Sequence, residues 1–362
     1  MKIGIYTDTL AIKGGGTKAV IELANQLNAD IITAGFNPQI NHWLKINNEV
    51  IDLGNLTLKW NHSLGYLIEA PLRFLLNKKN LNYDVHIFTG VSSFFAAKKT
   101  NKNIWLCFSP NRILYDLYEW KVSNDIFIKR TFFKFYSFIL RPLDQKYIKD
   151  NISLVVPQTK IVLDRVSKYY GINSAIINTS VNTSKYRFNK FGDFFLTVSR
   201  LMSEKRIPLI IEAFKEMPDK KLVIVGSGPE RNKIVESIRE YDNIKLLENL
   251  EEDKLLDLYA NCLATIYMPM DEDYGLVPIE GMASGKPCIA VNEGGCRETV
   301  LDQKTGLLIS PDKNSIIKAV NEMDIATAMK MKRGCIEQAQ KFDTALITAQ
   351  WKQLLNKQIQ SI

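Results

Sequence analysis

The sequence has few residues that bind metals or form disulfides. Its 362 residues include three histidines and five cysteines, and the cysteines are scattered without a C-x-x-C pair. Structural zinc sites need such residues at short spacing, and disulfide frameworks need many cysteines in a small secreted chain. We therefore expect neither kind of site. His86 lies inside a predicted strand, where a buried structural histidine is commoner than a catalyst.

Long apolar runs are also absent. No stretch approaches the roughly 20 apolar residues of a membrane span, and residues 1–10 are too few and too polar for a signal peptide. The 46% of hydrophobic and 24% of charged residues suit a chain that builds cores and is not disordered. The length suits two domains, so we expect a two-domain cytoplasmic protein.

The charge balance favours acidic partners. The formal net charge is +8 and the isoelectric point is near 9.0, which suits phosphates, nucleic acid or anionic lipid. The sequence contains no helix-turn-helix, zinc-finger or single-strand-binding signature, so nucleic acid is the weakest of the three.

Short apolar strands alternate with helical patterns along the whole chain. Residues 2–6 read as a strand that leads through the glycines at 14–16 into a helix, and residues 222–225 lead into the sequence GSGP in the same way. Such alternation predicts doubly wound parallel sheets. The first glycine loop lacks the spacing G-x-G-x-x-G, so a flexible turn explains it as well as a nucleotide site does.

The densest constellation of polar residues lies between positions 268 and 286. An apolar strand precedes this segment, and ligands of open α/β sheets bind at the carboxyl ends of strands. The amides of Gly275 and Leu276, at a predicted helix start, suit a diphosphate. Glu272 and Glu280 could border one pocket, where carboxylates accept sugar hydroxyls. Alternatively, Glu280 only complements the helix dipole and Glu272 is a solvated charge.

Residues 272–287 carry a family likeness. Their sequence, EDYGLVPIEGMASGKP, resembles the E-x7-E signature of the retaining, nucleotide-sugar-dependent glycosyltransferases of family 4. The resemblance implies that Glu280 binds the ribose hydroxyls of the donor nucleotide and that Glu272 binds the transferred sugar. It also implies base contacts around Asn249 and Leu250.

Two further segments are similar to parts of the same family. SRLMSEKR resembles its phosphate-gripping turn, in which Arg200 and Lys205 bind the diphosphate. In the first half of the chain, the likeness gives Gly15 and Gly16 a close backbone approach to the donor or acceptor.

The segment SPNRILYD looks like the pattern H-T-P-x-R-x-x-W-D of a subset of the family, many of them mannosyltransferases of surface-polysaccharide assembly. Phe108 stands where that pattern has histidine, so no imidazole role carries over. Arg112 and Asp116 remain candidates for contacts to the acceptor or donor.

Residues 121–141, from Lys121 to Arg141, mix aromatic and basic side chains. A helix of this composition suits an anionic membrane surface. It also suits a helix whose apolar side packs on the domain while its basic side is solvated.

Together these likenesses imply the GT-B fold, in which two Rossmann-like domains face each other across a cleft. We place an acceptor-binding domain at 1–190, a nucleotide-sugar-binding domain at 191–341 and a returning helix at 342–362. The implied activity is retaining transfer of a hexose, mannose or glucose, from a GDP- or UDP-linked donor to a glycan or lipid-linked glycan. The implied location is the cytoplasm or the cytoplasmic membrane face.

The implied transferase needs no metal and no cofactor beyond the nucleotide sugar, because Arg200, Lys205 and the helix amides would balance the charge of the diphosphate. Two alternatives stay open: a non-catalytic protein that binds sugar nucleotides or membrane surfaces, and a sugar-nucleotide epimerase of the same fold.

Overall fold

The computed structural model describes residues 1–12, 14–54, 64–77, 81–99, 102–124 and 127–360. The chain divides into two compact units. Unit 1 comprises Met1–Thr179 and Thr348–Ile362, and unit 2 comprises Ser180–Ile347. Within the described residues, no helix combines the length and apolar character needed to cross a bilayer.

Unit 1 is built on a parallel sheet. Its six strands are β1 Ile3–Thr7, β2 Asp30–Thr33, β3 Val50–Asp52, β4 Val85–Thr89, β5 Asn103–Cys107 and β6 Leu154–Pro157, in the order β3-β2-β1-β4-β5-β6. All the pairings are parallel, and Gly4 of β1 lies between Asp30 and His86 of the neighbouring strands. The central strands are buried throughout, as expected of a sheet with helices on both faces.

The helices of unit 1 connect these strands. They are α1 Gly15–Leu27, α2 Ile40–Trp43, α3 Leu64–Leu76, α4 Tyr118–Asn124, α5 Phe127–Asn151 and α6 Lys160–Tyr170, with a 3-10 helix at Ser93–Lys99. The core contains the buried rings of Phe74, Phe88, Trp105 and Tyr170.

Unit 2 repeats the architecture. Its strands are β7 Phe194–Val198, β8 Lys221–Val225, β9 Ile244–Leu247, β10 Ala264–Tyr267, β11 Cys288–Val291 and β12 Gly306–Ile309, in the order β12-β11-β10-β7-β8-β9. Counted from the first strand of each unit, this is the strand order of unit 1, so both units have the Rossmann topology. The predicted doubly wound parallel sheets are confirmed.

The helices of unit 2 cover its sheet and lead into the terminal helix. They are α7 Ile207–Lys215, α8 Arg231–Ile238, α9 Glu252–Asn261, α10 Leu276–Ala283, α11 Cys296–Thr299, α12 Lys313–Glu322, α13 Ile325–Gln340 and α14 Thr344–Gln360, with 3-10 helices at Thr183–Lys185 and Ser203–Lys205. From Thr348 onward α14 belongs to unit 1, where Thr348 Oγ1 hydrogen-bonds Gln26 Oε1 at 2.8 Å. Trp351 and Leu355 are buried there.

His86 is an interior residue of β4. Its Nδ1 lies 2.9 Å from the hydroxyl of Tyr6, and its ring contacts those of Tyr6 and Tyr83. Burial lowers the pKa of His86 to about 4, because the charged imidazolium loses its hydration. The histidine is therefore neutral at pH 7 and belongs to the packing of the sheet.

We expect the imidazole of His86 to titrate near pH 4 in an NMR titration of the folded protein. An unfolded histidine binds its proton near pH 6.5, so the stability that neutral His86 contributes is complete above about pH 6.5 and falls as the pH drops toward 4. A variant with His86→Asn should lose stability less steeply over this range. Titration of His86 near pH 6.5 in the folded chain would contradict this account.

Candidate functional site

Three loops meet at the carboxyl edge of the second sheet. They follow β7, β10 and β11, which lie side by side in the sheet. Met270 N–H donates to the carbonyl of Glu204 at 2.7 Å, and Gly295 N–H donates to the carbonyl of Glu272 at 2.6 Å. The loop after β10, which carries the acidic residues, is therefore fixed by backbone hydrogen bonds to both of its neighbours.

This arrangement brings Lys205 and Glu272 together. Lys205 closes the 3-10 helix after β7, and its Nζ donates a hydrogen bond to Glu272 Oε2. The side chains are only 14% and 27% exposed, respectively. The cation predicted to bind a diphosphate and the carboxylate predicted to bind a sugar thus pair with each other in this structure.

Arg200 lies on the same edge, in the turn that follows β7, and is exposed. The Gly-Ser-Gly loop after β8 supports this turn: Leu201 N–H donates to the carbonyl of Ser227 at 2.8 Å, and Ser199 N–H to the carbonyl of Val225 at 2.9 Å. A Cβ on Gly226 would lie 1.8 Å from the carbonyl oxygen of Ser199. The second glycine loop therefore holds the Arg200 turn by close backbone packing.

The glycine pair after β11 supports the acidic loop in the same way. Gly294 has a φ of 53°, and a Cβ there would lie 2.2 Å from the carbonyl oxygen of Glu272. Any larger residue would displace the backbone that carries Glu272.

Gly275 and Leu276 begin α10 at this edge. Gly275 is the N-cap with a left-handed φ of 94°, and as a glycine it has no side chain to cap the helix. The first amides of a helix lack intrahelical acceptors and point along its axis, so they can receive an anion.

Glu280 lies in α10, only 8% exposed. Tyr259, fully buried in α9, donates its hydroxyl to Glu280 Oε2 at 2.8 Å. Burial, with the nearby carboxylate adding to it, raises the pKa of Tyr259 well above 10, so the phenol keeps its proton. This contact could not be predicted from the sequence, because Tyr259 occupies an apolar position of a helix and is expected in the core.

Asn249 and Leu250 follow β9. Asn249 is exposed with a φ of 50°. Leu250 packs against the cluster that contains Leu196, Val225 and Tyr259. Of the residues predicted for donor binding in unit 2, the structure therefore places all at the carboxyl ends of strands or at the helix that follows.

The candidates in unit 1 form a separate set. Gly15 and Gly16 lie in the first turn of α1, not in the loop before it, and both are exposed. A Cβ on Gly16 would have no heavy atom within 4 Å. Packing within the described residues therefore does not require this glycine.

Arg112 and Asp116 form an ion pair at 2.8 Å in the segment after β5. Arg165 of α6, which sequence reasoning missed, lies 3.4 Å from the same carboxylate oxygen. Tyr115 is buried beside them and donates its hydroxyl to Asp144 at 2.7 Å. Burial raises the pKa of Asp144, although two tyrosine hydroxyls donate to it.

The part of unit 2 that carries Arg200, Lys205, Glu272 and Glu280 matches a known protein family. Residues 180–342 fit the family model described as "Glycosyl transferases group 1". The matched segment lies within unit 2 and covers less than half of the chain. The expected resemblance is thus confirmed, and it includes mannosyltransferases.

Among curated relatives, the α-1,3/1,6-mannosyltransferase ALG2 of Dictyostelium discoideum is 30% identical over 204 residues, which are 49% of this chain and 48% of that protein. The O-antigen chain mannosyltransferase RfbU of Salmonella typhimurium is 26% identical over 55% of this chain and 57% of its own. The chain spans about half the length of the curated relatives it matches.

Solved structures share the fold over the whole chain. Sucrose-phosphate synthase from Thermosynechococcus elongatus matches with a TM-score of 0.81 and 18% identity, covering 100% of both chains. Anabaena HepE in complex with UDP matches with a TM-score of 0.78 and 16% identity, covering 99% of this chain and 100% of its own. The predicted GT-B class of two Rossmann-like domains is confirmed.

Removing the hydroxyl of Tyr259 should lower the stability of unit 2. We expect Tyr259→Phe to lower the free energy of unfolding by about 1 to 2 kcal/mol, because the buried carboxylate of Glu280 loses a charge-assisted hydrogen bond. Urea denaturation measures the change. Tyr241→Phe, at a half-buried tyrosine of the same unit, is the control. Equal losses in both variants would show that the hydroxyl of Tyr259 contributes nothing specific.

Proposed function

We propose that this protein is a retaining glycosyltransferase. It moves a hexose, mannose or glucose, from a GDP- or UDP-linked donor to a glycan or lipid-linked glycan. The observation that carries the proposal is the meeting of Lys205, Glu272 and Arg200 at one sheet edge of unit 2, beside the start of α10. Relatives named as mannosyltransferases, and HepE structures with UDP and UDP-glucose, support the donor class.

The first role of the site is to balance charge. Breaking the bond between sugar and phosphate leaves negative charge on the diphosphate, and fixed positive groups stabilise that charge most in the transition state. Arg200, Lys205 and the amides at Gly275 and Leu276 supply such groups. With them in place we expect turnover to need no metal and no cofactor beyond the nucleotide sugar.

Donor binding exchanges one set of partners for another. Lys205 and Glu272 pair with each other in this structure. When the donor binds, this ion pair separates: Lys205 binds the diphosphate, and Glu272 accepts a hydrogen bond from a hydroxyl of the transferred sugar. Tyr259 orients Glu280 toward the ribose, whose two hydroxyls suit the two lone-pair directions of a carboxylate. Asn249 and Leu250 border the base.

The chemical step proceeds on one face of the sugar. The acceptor oxygen forms its bond to the anomeric carbon as the bond from that carbon to the diphosphate breaks. The acceptor proton passes to the departing phosphate oxygen, so no protein base is needed. Measuring the anomeric configuration of the product tests this step, and an inverted product would overturn it.

The function is tested by release of nucleoside diphosphate from GDP-mannose, GDP-glucose and UDP-glucose, with and without a membrane lipid extract and with and without EDTA. We expect one donor to be turned over, with stimulation by the extract and no loss in EDTA. Lys205→Ala and Glu280→Gln should each lower turnover at least about 100-fold, since each removes a group that binds developing charge or orients the donor.

The matched control is Lys185→Ala, which removes a partly exposed lysine of the same unit that pairs with Glu252. It should leave turnover unchanged. Binding of nucleotide without turnover of any donor would instead favour the non-catalytic binding protein. Conversion of the donor sugar without transfer to a separate acceptor would favour an epimerase.

A membrane surface is the second partner in this proposal. The outward face of α5 exposes Phe127, Phe135, Phe138 and Leu143, with exposed fractions of 77%, 65%, 80% and 56%. Phe133 of the same helix is buried on the opposite face. Residues 125 and 126 of the predicted basic-aromatic segment lie outside the described residues, and nothing is assigned to them.

Charge adds to this apolar face. Lys134 is exposed between the phenylalanines, and the whole chain carries a net charge of +8. Aromatic side chains in the interface together with basic residues near lipid phosphates are what binds a helix to an anionic bilayer. The face therefore suits the cytoplasmic leaflet, where a lipid-linked acceptor would be presented.

Vesicles test the surface. We expect the double variant Phe135→Ser and Phe138→Ser to bind phosphatidylglycerol vesicles at least about tenfold more weakly, because each phenylalanine contributes on the order of 1 kcal/mol or more of apolar burial. Ile325→Ser and Met329→Ser, which remove exposed apolar residues of α13, form the control. Equal binding by both double variants would exclude α5 as the docking face.

A further inference from the structure

A second ion pair joins residues next to Lys205 and Glu272. Arg206 and Glu293 form two hydrogen bonds, Nη1 to Oε2 at 3.0 Å and Nη2 to Oε1 at 3.3 Å. Their side chains are 22% and 26% exposed. Such bidentate geometry fixes both groups in orientation as well as in distance.

Glu293 also binds the acidic loop. Its Oε2 accepts a hydrogen bond from the backbone N–H of Asp271 at 3.1 Å. The same carboxylate oxygen of Glu293 thus binds both Arg206, which follows Lys205, and Asp271, which precedes Glu272.

Both ends of this link have unusual backbones. Arg206 has a φ of 51° and Asp271 a φ of 44°, the left-handed region that residues with a Cβ rarely adopt. Such conformations persist where neighbouring contacts hold them. Glu293 contacts both residues, through the side chain of Arg206 and the backbone N–H of Asp271.

We propose that Arg206 and Glu293 are positioning residues that set the separation of Lys205 and Glu272. The inference rests on the proposed function, in which these two groups bind the diphosphate and the transferred sugar. Arg206 and Asp271, the direct neighbours of Lys205 and Glu272, are held together by Glu293. Lys205 and Glu272 therefore keep the separation that aligns the sugar with its leaving group. A misplacement of about 1 Å at a reacting centre can slow the chemical step on the order of 100-fold.

The kinetic test uses a double-mutant cycle. We expect Glu293→Ala to lower kcat 10- to 100-fold while the KM for the donor changes less than about threefold, because binding groups remain but their alignment is lost. Arg206→Ala should do the same, and the two substitutions together should cost no more than the worse single one. Arg206→Lys, which keeps the charge, should recover part of kcat.

The control is the ion pair of Lys313 and Glu216 in the same unit, which joins no loop of the site. Glu216→Ala should leave kcat and KM unchanged. Additive losses in the double variant, or a rise in KM without a fall in kcat, would overturn the positioning role.

A second measurement does not depend on turnover. Lys205, held by Glu272, should react slowly with sulfosuccinimidyl acetate, and peptide mass spectrometry can follow its acetylation. We expect the rate to rise at least about threefold in Glu293→Ala and to stay unchanged in Glu216→Ala. If Glu293→Ala does not fold, Arg206→Ala serves in its place. An unchanged rate would overturn the inference, whereas a raised rate in a chain that turns over no donor would overturn only the proposed function.

Discussion

Close contact between backbones at the carboxyl edge of the second sheet is the constraint on which the site of this protein depends. The loops after β7, β8, β10 and β11 approach each other so closely that Gly226 and Gly294 have no room for a Cβ. Charged side chains can be held near each other only if the main chain that carries them is fixed. The glycines make that approach sterically feasible, and the hydrogen bonds to Glu204 and Glu272 make it specific.

Two ion pairs lie on this edge, Lys205 with Glu272 and Arg206 with Glu293. In the proposed function the first pair exchanges partners when the donor binds, and each member gains a charged or polar group of the ligand in return. The second pair also binds a backbone amide of the acidic loop, so it keeps its geometry while this exchange takes place. The same logic applies to Glu280, which Tyr259 holds from the buried side.

The sequence was sufficient for the sheets and for the residues that follow a strand. Apolar runs of four or five residues between helical patterns predict parallel strands, and ligand groups at their carboxyl ends then fall on one edge, as Lys205 and Glu272 do. Their pairing, and that of Arg206 with Glu293, could not be predicted. These partners are 67 and 87 residues apart, and no local pattern encodes which loops of a sheet touch. The hydrogen bond from Tyr259 to Glu280 could not be predicted for a different reason. The sequence pattern shows that an aromatic ring is buried on a helix, but not whether its hydroxyl makes a hydrogen bond.

The two units share one strand order, but the turn after the fourth strand has different contacts in each unit. In unit 1, Asp8 at the end of β1 accepts the backbone amides of Val91, Ser92 and Ser93 at 2.7 to 2.9 Å. That turn is a nest of amides already filled by a carboxylate of the chain itself. In unit 2, the corresponding strand β10 leads to α10, whose N-cap is Gly275, and the loop after the first strand β7 carries the cations Arg200 and Lys205 in place of a carboxylate. At this edge unit 2 has the cations Arg200 and Lys205, beside the acidic loop, where unit 1 has a carboxylate already bound by backbone amides. In the proposed function this difference accounts for the diphosphate binding to unit 2 and the acceptor to unit 1.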